Sequence, residues 1–254
     1  MAVPQSVSWW CFERDDIDES DLIATIKAIG YAAVELLPED KFQLAADQGL
    51  KIATHGLHRP LTQGISHPKY WDDIQRQAEE NFKLAQRWAI PNLIVFSGDR
   101  EGLPDEQGAE NAIKHLEVLA RAAESAGVTL ILELLNSKLD HPDYQCDRTD
   151  WAVQVVSAVN SPRARILYDI YHMQVMEGDI IQTIRDHHQW FAHYHTAGVP
   201  GRNELDDSQE LNYRAICRAI AETGYTGYIG QEFIPTGDWK ASLQGAFDVC
   251  NMNG

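Results

Sequence analysis

Short apolar runs and amphipathic stretches alternate along the chain. Runs of four to eight residues rich in Val, Ile, Leu and aromatics read as buried strands, and apolar residues three and four apart read as helices. Strands are expected at Ser6–Phe12, Ala32–Leu37, Lys51–Leu57, Asn92–Ser97, Val128–Asn136, Ile166–Tyr171, Phe191–Thr196 and Gly227–Phe233. Helices are expected at Asp21–Ile29, Glu39–Gln48, Tyr70–Ala89, Asn111–Ser125, Asp150–Val159, Asp179–Trp190, Asn212–Thr223 and Trp239–Cys250. Gly30, Gly49 and Gly127 stand where helices should stop, and Thr149 is placed to cap the helix after it.

This alternation has a mean period of about 32 residues, the size of a βαβ unit, and alternation of this kind implies a parallel sheet. The expected fold class is α/β, a (β/α)8 TIM barrel filling one domain over residues 1–254. A doubly wound open sheet usually carries a glycine fingerprint after its first strand, and Trp9-Trp10-Cys11-Phe12-Glu13 is not one. The loops Arg59–Pro68, Ser137–Arg148 and Ala197–Glu210 follow the third, fifth and seventh strands, and Gly98–Gly108 reads as a further loop. Long loops after strands and short ones after helices are what a barrel enzyme needs, since the loops after the strands build its active site.

Four strand-like runs end in residues that are costly to bury alone. Glu133 is carried by one, Asp169 stands near the end of another, His193 and His195 lie on a third, and Glu232 is on the last. At the mouth of a barrel, Glu133, Asp169, His195 and Glu232 would converge. Three carboxylates and one imidazole suit a divalent and fairly hard ion, Mg²⁺ or Mn²⁺ first, with Zn²⁺ or Co²⁺ tolerated. His193 and His195 share a strand face, and His193 sits one layer deeper, behind the ligand or in the core. His172, three residues after Asp169, is read as lying beyond the strand end within reach of substrate, against the alternative of a surface loop. Arg202 could hold a substrate carboxylate or form a loop salt bridge. His55 and His58 are further candidates to line the cavity. Glu35 reads as structurally paired. Trp9 and Trp10 cannot both face inward; one could wall the pocket, against core packing as the default.

Composition narrows the field further. The formal net charge is -17, with 21 Lys and Arg against 38 Asp and Glu, which argues against a nucleic-acid partner. The four cysteines are far apart and form no metal or disulfide pattern, so a reduced, cytoplasmic protein is expected. Met1 to Gln5 has no basic region followed by an apolar one, so no leader is read there, and no run is long enough to span a membrane. No H-E-x-x-H, G-x-S-x-G or P-loop is present.

The stretch Tyr168-Asp169-Ile170-Tyr171-His172-Met173-Gln174-Val175-Met176-Glu177-Gly178-Asp179 is the most specific in the chain. With Leu134-Leu135-Asn136-Ser137, Pro200-Gly201-Arg202, Leu211-Asn212-Tyr213 and Gly227-Tyr228-Ile229-Gly230-Gln231-Glu232-Phe233, it resembles the xylose-isomerase-like barrel superfamily and, within it, the hydroxypyruvate isomerase family. The resemblance covers nearly the whole chain. It implies that Glu133, Asp169, His195 and Glu232 are metal ligands, that Glu133 and Glu232 are the acid–base pair, and that His172 stands where ketose 3-epimerases bind substrate. Many members of the family have Gln at the position of His195, whereas this chain reads His-x-His, as ketose epimerases do.

The expected activity is therefore metal-dependent isomerisation of a small α-hydroxycarbonyl acid, of the hydroxypyruvate to tartronate semialdehyde type, through a cis-enediolate. The expected partner is a small sugar or hydroxy-keto acid, with no nucleic acid and no membrane; a homo-oligomer is left open. The alternatives are a ketose 3-epimerase or other sugar isomerase, an endonuclease-IV-like repair nuclease, and a non-catalytic sugar-acid binder.

Overall fold

The computed structural model describes residues 3–251; residues 1, 2 and 252–254, which include the start of the stretch read for a leader and both ends of the expected domain, lie outside the described residues. In chain order the elements are β1 (Gln5–Ser8), α1 (Glu19–Ile29), β2 (Ala33–Glu35), α2 (Phe42–Asp47), β3 (Lys51–Ile52), β4 (Thr54–Gly56), α3 (Trp71–Trp88) and β5 (Asn92–Val95). They continue with α4 (Asp105–Ala126), β6 (Thr129–Glu133), α5 (Thr149–Val159), β7 (Ala164–Asp169), α6 (Ile170–Met176) and α7 (Ile180–His187). The last are β8 (Phe191–Thr196), α8 (Tyr213–Glu222), β9 (Ile229–Gln231) and α9 (Trp239–Cys250).

Two compact units share this chain. One holds the chain through Ala53 with Asp179–His188 and everything from His193; the other holds Thr54–Gly178 with Gln189–Ala192. In the first unit the strand order is β3-β2-β1-β9-β8, and in the second β7-β6-β5-β4. The pairings described within both units are parallel. Leu93, Ile94 and Val95 of β5 and Leu130, Ile131 and Leu132 of β6 are fully buried, which is why these strands are continuously apolar rather than alternating. Among the described residues no helix is long and apolar enough to cross a membrane. The four cysteines are free thiols, all buried.

The helix ends follow local chemistry. Asp18 caps α1 by accepting the Asp21 amide at 2.9 Å, and the helix stops at Gly30. Asn212 caps α8 and Asp238 caps α9 in the same way.

Several expectations are corrected. The third strand is two short pieces, β3 and β4, on either side of Ala53. The first strand ends at Ser8, where Trp9–Cys11 turns into a 3-10 helix. Helix α4 starts at Asp105, inside the segment read as a loop. Gly108 lies inside that helix, where the Gln145 side chain leaves no room for another: a β-carbon there would lie 2.5 Å from Oε1. Thr149 is not a cap but the first residue of α5, and its hydroxyl donates to Glu177 at 2.7 Å. The sixth strand ends at Asp169 and not at Tyr171, because α6 begins there at once.

Candidate active site

In the first unit, β8, β9 and β1 lie side by side with His195 opposite Gly230 and Gly230 opposite Ser6. Glu35 ends β2, paired with Ser8 of β1. From there its carboxylate reaches two imidazoles. Oε2 is 2.8 Å from Nε2 of His193 and 3.3 Å from Nε2 of His195, while Oε1 accepts the Ser6 hydroxyl at 2.7 Å. All four side chains are fully buried. Burial alone would raise the Glu35 pKa, but the two facing imidazoles outweigh it and hold the carboxyl well below its usual range.

Glu232 follows β9, and its amide donates to the Thr196 carbonyl at 3.0 Å. Its Oε2 lies 2.6 Å from Nη2 of Arg202 and 3.1 Å from Nδ1 of His195. Its Oε1 accepts the indole N–H of Trp10 at 3.0 Å. Burial opposes the charge on this carboxylate too, and His195 with Arg202 more than offsets it, so Glu232 is ionised at neutral pH. The Arg202 backbone is pinned, its amide donating to Gly198 and its carbonyl accepting from Ile234. His195 thus turns Nε2 to Glu35 and Nδ1 to Glu232. A carboxylate behind an imidazole fixes its orientation and raises its basicity as a ligand.

The second unit carries the other two carboxylates. Glu133 ends β6 and is buried; its backbone carbonyl accepts the Tyr144 hydroxyl at 3.0 Å, which fixes the strand end. Asp169 ends β7, is buried, and accepts the His172 amide at 2.9 Å as the cap of α6. His172 is fully buried on that helix, so the surface-loop alternative is excluded. Its Nδ1 faces the Asn136 backbone amide at 3.1 Å and the Asn136 side-chain amide at 2.7 Å. A backbone N–H can only donate, so Nδ1 is the acceptor and the ring proton sits on Nε2, which lies 3.8 Å from Asp169.

His55 is half-buried on β4, opposite Leu93. His58 turns Nε2 to the backbone, where it accepts the Phe96 amide at 3.1 Å, and burial lowers its pKa to about 4.

The comparisons with known proteins agree with this frame. Residues 23–249 match the family model described as a xylose isomerase-like TIM barrel. A 2-oxo-tetronate isomerase of Cupriavidus necator is 30% identical over 239 residues, 88% of this chain and 90% of that protein. A putative hydroxypyruvate isomerase of Xenopus laevis is 31% identical over 182 residues, 69% of this chain and 66% of that protein. The chain belongs to the hydroxypyruvate isomerase family of xylose isomerase-like TIM barrels. The match to the Xenopus relative thus spans just under two thirds of that protein. A crystal structure titled AP endonuclease, family 2, from Brucella melitensis superposes with a TM-score of 0.84 at 23% identity, covering 95% of this chain and 97% of that one; it shares the fold.

In this family member the first unit links Glu35, His195, Glu232 and Arg202 in a chain of contacts, and the second brings Asp169 and His172 together beside Asn136. The donor chemistry at these strand ends, buried carboxylates with an imidazole, fits a divalent cation. Glu35, His193 and His195 also offer ligand atoms within 4.8 Å of one another, but in this arrangement they bind each other. Two partners were missed in the sequence. The role of Asn136 was hinted at by its place in Leu134-Leu135-Asn136-Ser137, directly after the Glu133 strand. The Trp10–Glu232 bond had no local signal.

Proposed function

We propose that this protein is a divalent-metal-dependent isomerase of a small α-hydroxycarbonyl acid, of the hydroxypyruvate or 2-oxo-tetronate type. The observation that carries the reading is Glu232, a buried carboxylate kept ionised between an imidazole and a guanidinium at the end of a parallel strand. Such a group can exchange a proton with carbon, and the guanidinium beside it can hold an acid. The names of the two relatives support the substrate class.

Glu133, Asp169, His195 and Glu232 would hold the ion, and the loops after strands are where this fold builds its sites. When bound, the ion would draw electron density from the substrate carbonyl and the adjacent hydroxyl oxygen, lowering the cost of the charge that develops on proton removal. One of Glu133 and Glu232 would take the proton from the hydroxyl-bearing carbon, the other would return a proton to the neighbouring carbon, and the proton of the old hydroxyl would pass to the old carbonyl oxygen, so that the two groups exchange places. The charge left on the two oxygens between these steps is that of an enediolate. His172, with its proton on Nε2, would donate to a substrate oxygen. Arg202 would bind the carboxylate.

The test is turnover of hydroxypyruvate and of a 2-oxo-tetronate in D₂O with Mn²⁺, followed by proton NMR. Solvent deuterium should enter the substrate α-carbon. Glu133→Gln and Glu232→Gln should each lower kcat by about 10² to 10⁴-fold. Turnover without exchange, or full activity in both variants, would rule the mechanism out. Neutral ketoses in the same screen test the epimerase alternative.

A further inference from the structure

Trp10 is 39% exposed and makes two contacts that apolar packing does not explain. Its indole N–H donates to Oε1 of Glu232 at 3.0 Å, and the Arg202 guanidinium lies over its ring, 5.1 Å from the centroid. We propose that Trp10 is a positioning residue that sets Glu232 for proton transfer and seats Arg202 for the substrate carboxylate. This rests on the isomerase reading above.

The contact has its origin at the end of β1. Had the strand continued past Ser8, Trp9 and Trp10 would have pointed to opposite faces in its regular alternation. The 3-10 turn at Trp9–Cys11, closed by the Phe12 amide on the Trp9 carbonyl at 2.9 Å, changes that. Trp9 is buried by it, and Trp10 is carried to Glu232, 222 residues away in sequence. Val7 is paired with Gln231, so Ser8 and Glu232 come next along the two strands and Trp10 follows two residues after Ser8.

The choice of indole is chemically specific. An indole N–H is a donor and never an acceptor, so it favours the anionic carboxylate and takes no proton from it. By holding Oε1 it stops the carboxylate from rotating, which leaves Oε2 towards His195 and Arg202. The ring face supplies a flat electron-rich bed for a guanidinium. Arg202 spends Nη2 on Glu232, and a guanidinium has five N–H donors in a planar fork. Phe would supply the bed without the donor, and Leu would supply neither.

These differences define the experiment. Steady-state kinetics on hydroxypyruvate and a 2-oxo-tetronate with Mn²⁺ are measured for the wild type, Trp10→Phe and Trp10→Leu. Calorimetric binding of D-glycerate, an acid with no carbonyl to react, is measured alongside glycerol, its uncharged counterpart. Thermal melts report the fold. Trp10→Phe should lower kcat roughly tenfold with KM and glycerate affinity within about twofold of wild type. Trp10→Leu should show the same kcat loss and, in addition, KM and glycerate Kd raised about fivefold, with glycerol unaffected. Wild-type kcat in Trp10→Phe overturns the proposal, as do losses that merely track a lowered melting temperature. A wild type that turns over none of these acids removes the isomerase reading and the proton-transfer half of this one; the glycerate measurement then decides the seating of Arg202 by itself.

Discussion

The β-carbon that Gly230 lacks would stand 2.1 Å from Oε1 of Glu35 and 2.8 Å from Cδ2 of His195. The absent side chain is therefore the space through which Glu35 reaches the imidazoles. Glu35 could swing away from a methyl group only by giving up Ser6, His193 and His195 together. Gly230→Ala should destabilise the protein by about 1–3 kcal/mol through overpacking. Gly245→Ala is the control. It lies in the exposed part of α9 with nothing within 4 Å of its β-carbon position and should stabilise by about 0.5–1 kcal/mol. Urea midpoints of the two variants should move in opposite directions.

Arg202 separates acid from neutral substrates. A charge-assisted hydrogen bond to a carboxylate contributes about 1.5–3 kcal/mol, which is roughly 10 to 150-fold in KM. Arg202→Ala should raise KM for hydroxypyruvate by that factor while changing KM for a neutral ketose by less than about threefold. Arg202→Lys should recover only part of the loss, because an ammonium cannot make a planar two-point contact. Equal losses on acid and ketose would assign Arg202 to Glu232 alone, through their 2.6 Å contact.

His58 should make the fold acid-sensitive. Burial lowers its pKa from 6.5 to about 4, with Asp73 as a charged neighbour acting in the opposite sense. Protonating Nε2 would also set a donor against the Phe96 amide that donates to it. The folded protein resists the proton and the unfolded chain accepts it near pH 6.5, so stability is full above 6.5 and falls as pH drops towards 4. The gap corresponds to about 3 kcal/mol. Denaturant titrations between these limits should show the slope, and His58→Gln, which keeps an acceptor for the amide, should flatten it.

How far the sequence carried these conclusions depends on how local each signal was. Strand β8 and helix α9 have the expected bounds, Phe191–Thr196 and Trp239–Cys250, because period and flanking residues change together there. The chemistry of Asp169 and His172 is legible in the sequence, yet the apolar pattern sets the strand two residues late, at Ile166–Tyr171 in place of Ala164–Asp169. Ile170 and Tyr171 continue the apolar run, and nothing periodic marks the point where the Asp169 side chain turns to cap α6. The glycine at 108 suggests a loop in the sequence, and the side chain that requires a glycine there, Gln145, is distant in sequence. The pairing of Glu35 is expected from its sequence and present in the structure, but its partners on β8 follow only from strand register. The Trp10 contact depends on a break in β1 that the apolar pattern of Ser6–Phe12 conceals.

The metal proposal can be tested without turnover. An ion bound only by the folded protein stabilises it by about 2.7 kcal/mol at a hundred times its Kd. For a chain of this size that is roughly 5–10 °C in melting temperature. Mn²⁺ added to chelator-treated protein should produce such a rise, and excess chelator should reverse it. Asp169→Asn is the informative variant. Asn caps helices as well as Asp does, so the bond from the His172 amide that starts α6 should persist while the charge is lost. The metal-free variant should melt at or above the metal-free wild type, because one buried carboxylate no longer has to be kept ionised. Its response to Mn²⁺ should largely vanish. A rise of equal size in Asp169→Asn would remove Asp169 from the ligand set, and no rise in the wild type would remove the ion from the proposal.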